Sequence, residues 1–301
     1  MKPIRLTRYS HNPILTANPK NPWEAQNVSN AGVALHDGKV HLLYRAEGFK
    51  KRHGNGWPYT YLGLAISDDG FNISKRLSKP VFKPGKLYEA HGAEDPRISK
   101  IGDTYYIVYT VVSDFWDRLA LATTKDFKTY QHHGLLMPEI AQRTSGLLPG
   151  KVGGQYVLFH RPIPNMWISH SRDLKTWNHS KIMFRTKLGT WYENKLGIGA
   201  PPIKTKQGWL LFWHGVDRNR RYALGIMLLD LNNPSRIIKM QEEPILTVEE
   251  DYEKTGYFPN VVYTCGAVEK DGQYLVYYGC ADRCLSVATV SVEDVERFMR
   301  G

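Results

Sequence analysis

Asp271-Gly272-Gln273-Tyr274-Leu275-Val276-Tyr277-Tyr278-Gly279 sets a polar turn with glycine directly before an alternating, aromatic-rich run of strand length. A second short strand pattern, residues 285–290, follows it. The same pairing occurs four more times. Asp37-Gly38 precedes residues 39–45, with 63–70 behind them; Gly102-Asp103 precedes 104–110, with 120–127. Gly153-Gly154 precedes 155–161, with 168–177, and Gln207-Gly208 precedes 209–215, with 225–231. The marker glycines Gly38, Gly102, Gly154, Gly208 and Gly272 are 64, 52, 54 and 64 residues apart, a period that suits a four-stranded blade. A further strand pattern stands before each marker, at 31–35, 97–100, 146–148, 202–204 and 261–268. The expected fold is therefore all-β, a five-bladed β-propeller with a short C-terminal helix, in one domain over residues 1–301. Blades are expected near 30–80, 94–135, 145–185, 199–240 and 260–290, with an irregular β-sandwich as the weaker competitor.

Helical patterning is confined to the end. Ser291-Val292-Glu293-Asp294 reads as a capping box, and Val292, Val295, Phe298 and Met299 form an apolar stripe along a helix over 291–300. Residues 4–15 belong to no repeat and are expected to supply the strand that closes the ring beside the fifth unit. Residues 50–59, with Gly54, Gly56 and Pro58, read as an exposed loop overhanging the pocket, and His132-His133 as a surface turn.

With 301 residues, 42% of them apolar and 12% aromatic, the chain has ample material for a core. No stretch approaches the ~18 to 20 apolar residues of a membrane span, and residues 1–15 hold no apolar run of signal-peptide length. A cytoplasmic location is the expectation. Cys265, Cys280 and Cys284 are odd in number and lie in the last fifth of the chain, which fits buried, unreactive thiols better than a disulfide framework or a zinc site. Lysine and arginine outnumber the acids 40 to 29, for a net charge of +11. Yet the basic residues are spread along the chain, Lys50-Lys51-Arg52-His53 being the densest cluster, and no helix-turn-helix, finger or RNP pattern occurs. Neither nucleic acid nor a membrane is an expected partner; a small anion such as phosphate is.

In a propeller the first strand of each blade lines the central channel, so residues at the mouths of the five first strands converge on one pocket. His91-Gly92-Ala93-Glu94-Asp95-Pro96-Arg97 opens one such strand, and Pro96 disfavours helical backbone at Asp95, which points to extended chain there. The other mouths hold Asn30, Arg143, Lys195 with Gly197, and Asn260. Ends of the second strands add Arg45, His160-Arg161, His214 and Asp282. Inverting glycoside hydrolysis needs two carboxylates, one as acid and one as base toward water. Here cations stand where the base is wanted. Arg143, Lys195 and His214 suit an anion, and a phosphate held there is itself a nucleophile for an anomeric carbon, so that one acid suffices. Trp57, Tyr88, Trp191, Tyr192, Tyr222 and Tyr257 fall in predicted loops, where rings can stack on pyranose faces. No pair of histidines has metal-binding spacing, so neither a metal nor a cofactor is expected.

Several motifs occur in one order along nearly the whole chain: Asn12-Pro13-Ile14-Leu15, Leu43-Tyr44-Arg45, Gly92-Ala93-Glu94-Asp95-Pro96-Arg97, Trp191-Tyr192-Glu193-Asn194-Lys195-Leu196-Gly197, Ala200-Pro201-Pro202-Ile203, Trp213-His214-Gly215, Tyr257-Phe258-Pro259-Asn260-Val261-Val262 and Tyr277-Tyr278-Gly279-Cys280-Ala281-Asp282. Together they resemble the β-mannoside phosphorylases of glycoside hydrolase family 130. The resemblance implies a five-bladed propeller that cleaves β-linked manno-oligosaccharides, mannosyl-glucose or mannosyl-N-acetylglucosamine. Inorganic phosphate is the co-substrate, and the products are α-mannose 1-phosphate and a shortened sugar, with inversion. It implies Asp95 as general acid, its proton passing through the 3-hydroxyl of the mannosyl unit. It puts Arg143, Lys195 and His214 at the phosphate with Asp282 nearby, and Asn30, Arg45, Tyr222 and Asn260 around the mannosyl ring. Glu94, His160 and Arg161 join the substrate-binding set from the strand mouths, and a homo-oligomer is compatible with the resemblance. Thr144, where asparagine or aspartate is usual, and Leu148-Pro149-Gly150-Lys151, in place of Phe-Pro-Glu-Lys, depart from the family pattern. A β-mannoside hydrolase on the same frame and a non-catalytic carbohydrate-binding propeller are the alternatives.

Overall fold

Each glycine-marked turn reverses the chain between two paired strands, so the repeat becomes five antiparallel meanders joined in series. The computed structural model describes residues 3–51, 56–85 and 87–300. Strand β1 (Thr7–Arg8) precedes the first meander, which comprises β2 (Asn27–His36), β3 (Lys39–Lys51), β4 (Pro58–Ser67) and β5 (Ile73–Arg76). The second holds β6 (Gly92–Ile101), β7 (Thr104–Val112), β8 (Arg118–Thr124) and β9 (Gln131–Leu136), and a single parallel pair, Thr60 with Gly92, joins it to the first. The third holds β10 (Gly146–Val152), β11 (Gln155–His160), β12 (Met166–Ser171) and β13 (Asn178–Phe184). The fourth comprises β14 (Lys195–Ile198), β15 (Ile203–Lys204), β16 (Trp209–Val216), β17 (Tyr222–Leu229) and β18 (Ile237–Met240). Helix α1 (Asp251–Lys254) leads to β19 (Val262–Lys270), β20 (Gln273–Cys280) and β21 (Cys284–Ser291), and α2 (Val292–Arg300) ends the described chain. The protein is thus nearly all β, with two short α-helices among the described residues.

The first strands pack on one another. β2 lies between β19 and β6, and β10 lies against β6. Bare backbone makes this approach possible: a Cβ on Gly32 would stand 2.5 Å from the Pro96 carbonyl oxygen, and one on Gly266 would stand 2.6 Å from the Val33 nitrogen. Because the strands alternate in direction, the starts of the first strands and the finishes of the second strands share one end of the meanders.

Three expectations need correction. The first strand of the fourth meander, expected at 202–204, is split into β14 and β15, both paired with β16. Pro201 and Pro202 have no N–H for the ladder, so the sheet is interrupted there and the half that carries Lys195 forms a strand of its own. His132 and His133 sit in β9 rather than a turn, with His133 Nε2 sharing a hydrogen bond of 2.7 Å with Thr123 Oγ1. Residues 50–59 extend a hairpin, since β3 runs to Lys51 and β4 starts at Pro58; residues 52–55, and with them Arg52 and His53 of the basic cluster, lie outside the described residues.

The N-terminal segment does supply the outer strand of the fifth meander. β1 pairs with β21, Thr7 opposite Thr289 and Arg8 opposite Ala288. The side chain of Asn12 clasps both backbone groups of Val287, at 2.8 and 2.9 Å, and Gln241 does the same to Ile4, at 2.6 and 3.1 Å. Between them lies Glu253, fully buried, which accepts from Arg8 Nε at 2.8 Å, Arg8 Nη2 at 2.9 Å and the Tyr278 hydroxyl at 3.0 Å. Helix α2 buries Val295, Phe298 and Met299 against the fourth and fifth meanders, and the Ser291 hydroxyl caps it by accepting the Asp294 N–H at 3.0 Å. Removing the Glu253 carboxylate leaves the mostly buried Arg8 with only the exposed Glu249 and the Thr247 carbonyl, and takes an acceptor from the buried Tyr278 hydroxyl. Glu253→Ala is expected to cost about 3–5 kcal/mol, read as a lower urea midpoint at unchanged m-value.

Candidate active site

Two matching bulges build one half of the site. β2 slips register against β3 between Ser29 and Gly32, and β6 slips against β7 between Glu94 and Arg97. Asn30 (φ +47°) and Asp95 (φ +49°) occupy these bulges in the left-handed region, which costs most residues about 1–2 kcal/mol and suits asparagine and aspartate best. Asp95 is therefore not in the extended backbone that Pro96 suggests. The bulge absorbs the proline's missing N–H and brings the two side chains together, Asn30 Nδ2 donating to Asp95 Oδ1 at 2.9 Å. Asn260 (φ +61°) and Asp282 (φ +50°) take the same rare conformation.

Arg45, on β3, stands among four carboxylates. It bonds Glu47, two residues along the same strand face, and its Nη1 lies 3.6 Å from Glu94, 3.7 Å from Asp95 and 3.6 Å from Asp282. Burial opposes its charge, but these acids hold its pKa well above the ordinary arginine value. Asp282 is pushed up to about 6 by burial; Arg45 pulls it down, and Asp95, Glu47 and Glu94 push it further up. Arg143 spans to Glu94 at 3.0 Å and to Asp117 at 2.6 Å, and Glu94 above all raises its pKa against the effect of burial.

The other half is cationic and short of acids. Arg161 is 7% exposed, its Nε makes no hydrogen bond, and no carboxylate pairs with it among the described residues. Burial lowers its pKa, Tyr263 and Tyr222 oppose this, and Arg97 and Arg143 reinforce it. Lys195 is brought down to about 8 by burial and by Arg161, Arg143 and Arg220, against the pull of Asp282 in the other direction, and its Nζ lies 5.2 Å over the Tyr222 ring. His214 is fully buried and held well below the usual imidazole value by burial, then by Arg161, Arg97 and Lys195. Neither of its ring nitrogens makes a hydrogen bond of good geometry among the described residues, although the Ile198 backbone lies near enough to favour the charged form slightly. Gly197 keeps the space between these groups open: a Cβ there would meet His214 Cε1 at 3.0 Å, Thr144 Cγ2 at 3.0 Å and Arg161 Cδ at 3.1 Å.

Tyr222 lies on β17 rather than in a loop; burial pushes its hydroxyl up to about 12, and its N–H donates to the Asn260 carbonyl at 3.1 Å. His160 is placed differently from the rest. Its ring nitrogens are taken by Gln142 at 2.9 Å and Ser169 at 2.8 Å, and burial holds its pKa near 4, an arrangement that braces β11. Trp191 and Tyr192 do not line the pocket as free rings, because both pack on Trp213 in the core of the fourth meander, Trp191 stacked at 4.5 Å. Tyr88 is half-buried against the core of the second.

Sequence reasoning missed Glu47, Asp117 and Tyr263. Glu47 was legible from its i, i+2 spacing to Arg45; nothing local marks the other two. The Tyr263 hydroxyl accepts from Arg97 at 2.9 Å and shares a 3.0 Å hydrogen bond with Thr144, so the residue that departs from the family pattern braces Tyr263 and, through it, Arg97.

The sequence profile of the β-1,4-mannooligosaccharide phosphorylases, glycoside hydrolase family 130, matches residues 4–301. The chain belongs to this family. It is 42% identical over 97% of its length to a 1,2-β-oligomannan phosphorylase of Thermoanaerobacter sp., covering 99% of that protein. It is 44% identical, with the same coverage, to a β-1,2-mannobiose phosphorylase of the same organism. Among solved structures, the β-1,2-mannobiose phosphorylase of Listeria innocua, in complex with β-1,2-mannobiose, superimposes with a TM-score of 0.87 at 28% identity over 99% of both chains.

Arg45 neutralises the acid half, and its removal takes the ion-pair partner from Glu47, Asp95 and Asp282 while Glu94 keeps Arg143. Arg45→Met is expected to lose about 3–5 kcal/mol at pH 7.5. Carboxylates whose folded pKa is raised above the unfolded value bind more protons when folded, so their cost shrinks as pH falls through the folded pKa, about 6 for Asp282. The gap between wild type and variant in urea unfolding should therefore narrow at pH 5.5.

Proposed function

We propose that the five meanders are the blades of a five-bladed β-propeller forming one catalytic domain over residues 1–301, and that this domain is an inverting β-mannoside phosphorylase acting on β-1,2-linked mannosides. The observation that carries the reading is that buried Arg161 and half-buried Lys195, grouped with the buried His214 ring, have no carboxylate within ion-pair distance among the described residues. Cations withdrawn from water without an acid partner are costly, and a bound anion offsets that cost for Arg161 and Lys195 and favours a proton on His214. Inorganic phosphate held by these three groups, with Arg143 at its edge, faces the sugar bound on the acid half. A phosphate oxygen forms the new bond to the anomeric carbon while the bond to the leaving sugar oxygen breaks. Asp95 supplies the proton that ends on that oxygen, by way of the mannosyl 3-hydroxyl, and β-configured substrate gives α-mannose 1-phosphate.

Asn30 fixes the Asp95 carboxyl, Arg45 and Glu94 set the charge around it, and Asn260, Tyr222 and Asp282 line the mannosyl pocket and its border with phosphate. Arg161 moves from the sugar set to the phosphate set. His160 supports the sheet beneath it. No metal takes part, since phosphate and one acid supply the nucleophile and the proton. The enzyme works in the cytoplasm on soluble sugars, without nucleic acid or membrane partners. The linkage rests on the β-1,2-mannoside names of its relatives. A hydrolase on the same frame requires a carboxylate to activate water, and among the described residues the cation half pairs with none.

Incubation with β-1,2-mannobiose should yield α-mannose 1-phosphate only when phosphate is present, and Asp95→Asn should lower the rate by roughly a hundredfold or more. Free mannose released equally without phosphate contradicts the reading. The kcat/KM for phosphate should fall above about pH 8 as free-enzyme Lys195 loses its proton. Lys195→Arg, which does not titrate there, should retain a flat profile through that range.

A further inference from the structure

One relative is named for oligomannan and the other for mannobiose at nearly equal identity, so resemblance leaves chain length open. The rim of the site bears on it. Among the described residues, every large apolar side chain left exposed, except Ile238, lies in or beside the connections at the end of the meanders where the candidate site opens. The opposite end carries the polar glycine turns. This asymmetry is more than scattered surface apolarity.

Three of these rings form one assembly. Trp57, just before β4, meets Tyr257 edge-on at 5.8 Å and Phe258 at 6.1 Å, and Tyr257 meets Phe258 at 5.1 Å. They come from segments two hundred residues apart, yet each remains 40–43% exposed. Both segments are anchored in the site. The Phe258 N–H donates to the Ala281 carbonyl at 3.2 Å, next to Asp282, and Asn260 lies two residues on. Trp57 sits at the hairpin of β3, the strand of Arg45 and Glu47.

We infer that Trp57, Tyr257 and Phe258 form a distal acceptor subsite on which a sugar of a longer β-mannoside stacks, so that the enzyme favours oligosaccharides over the disaccharide. This rests on the phosphorylase reading above. Half-exposed rings beside a sugar pocket present faces of the kind that pyranose C–H groups cover. A neutral glycan also fits the charge of the rim. Arg218, Arg220 and Arg221 are exposed there beside the cationic half of the site, and a second copy of a chain with net charge +11 would set like charges face to face.

The test compares β-1,2-mannobiose with β-1,2-mannotetraose, each with phosphate, on wild type, Trp57→Ala, Phe258→Ala and Trp57→Phe. Wild type should prefer the tetraose, and the alanine variants should lose about tenfold in kcat/KM for it through KM, with mannobiose unchanged. Trp57→Phe should keep most of the preference, and the mannobiose rate reports folding in every variant. An equal fall on both substrates, no fall on either, or a change in oligomeric mass in the alanine variants would overturn the subsite while leaving the phosphorylase standing. No phosphate-dependent turnover of either sugar by wild type would overturn both.

Discussion

Arg45 is the charge on which the site depends. Three buried carboxylates, Glu47, Glu94 and Asp95, and the half-buried Asp282 crowd within reach of one guanidinium, and without it the centre of the molecule would repel itself. Its presence has a second effect. The acids are engaged on their own side, and among the described residues none comes within ion-pair distance of Arg161 or Lys195, although Asp282 still acts on Lys195 from further off. Charges that could have cancelled within the protein are instead kept apart, and in the function proposed above the cationic half takes an anion from solution. Arg143, bonded to Glu94 and Asp117, marks the border between the halves.

The architecture was readable because the repeat is a physical unit. A glycine turn followed by alternating aromatic and aliphatic residues cannot bury its apolar face alone, and each copy needs the next. The positions of all five meanders, the N-terminal strand beside β21 and the capped terminal helix followed from that pattern. So did the gathering of Asn30, Arg45, Glu94, Asp95 and Asp282, since they sit at starts of first strands or ends of second ones.

What stayed hidden depends on backbone detail or on distant partners. Pro96 argues against a helix at Asp95, but only pairing with β7 decides that the strand bulges there and throws Asp95 into the left-handed region beside Asn30. Arg161 looked like a sugar ligand or a brace; that no acid pairs with it among the described residues depends on several meanders at once. Trp191 and Tyr192 had the composition of a sugar platform, yet Trp213 lies across the sheet to receive them, and burial there wins over exposure. Asp117 and Tyr263 carry no local signal because their roles exist only once Arg143 and Arg97 have been placed.

Phosphate binding in the absence of sugar tests the charge separation most directly. Calorimetric titration of inorganic phosphate into wild type and into Arg161→Gln isolates the cationic half from catalysis. One phosphate per chain on wild type, weakened at least about tenfold in a variant that unfolds at the same or higher urea concentration, is the result predicted for a buried guanidinium kept for an anion. Equal phosphate affinity in both proteins, or a variant strongly destabilised because Arg161 was holding the fold, would contradict it.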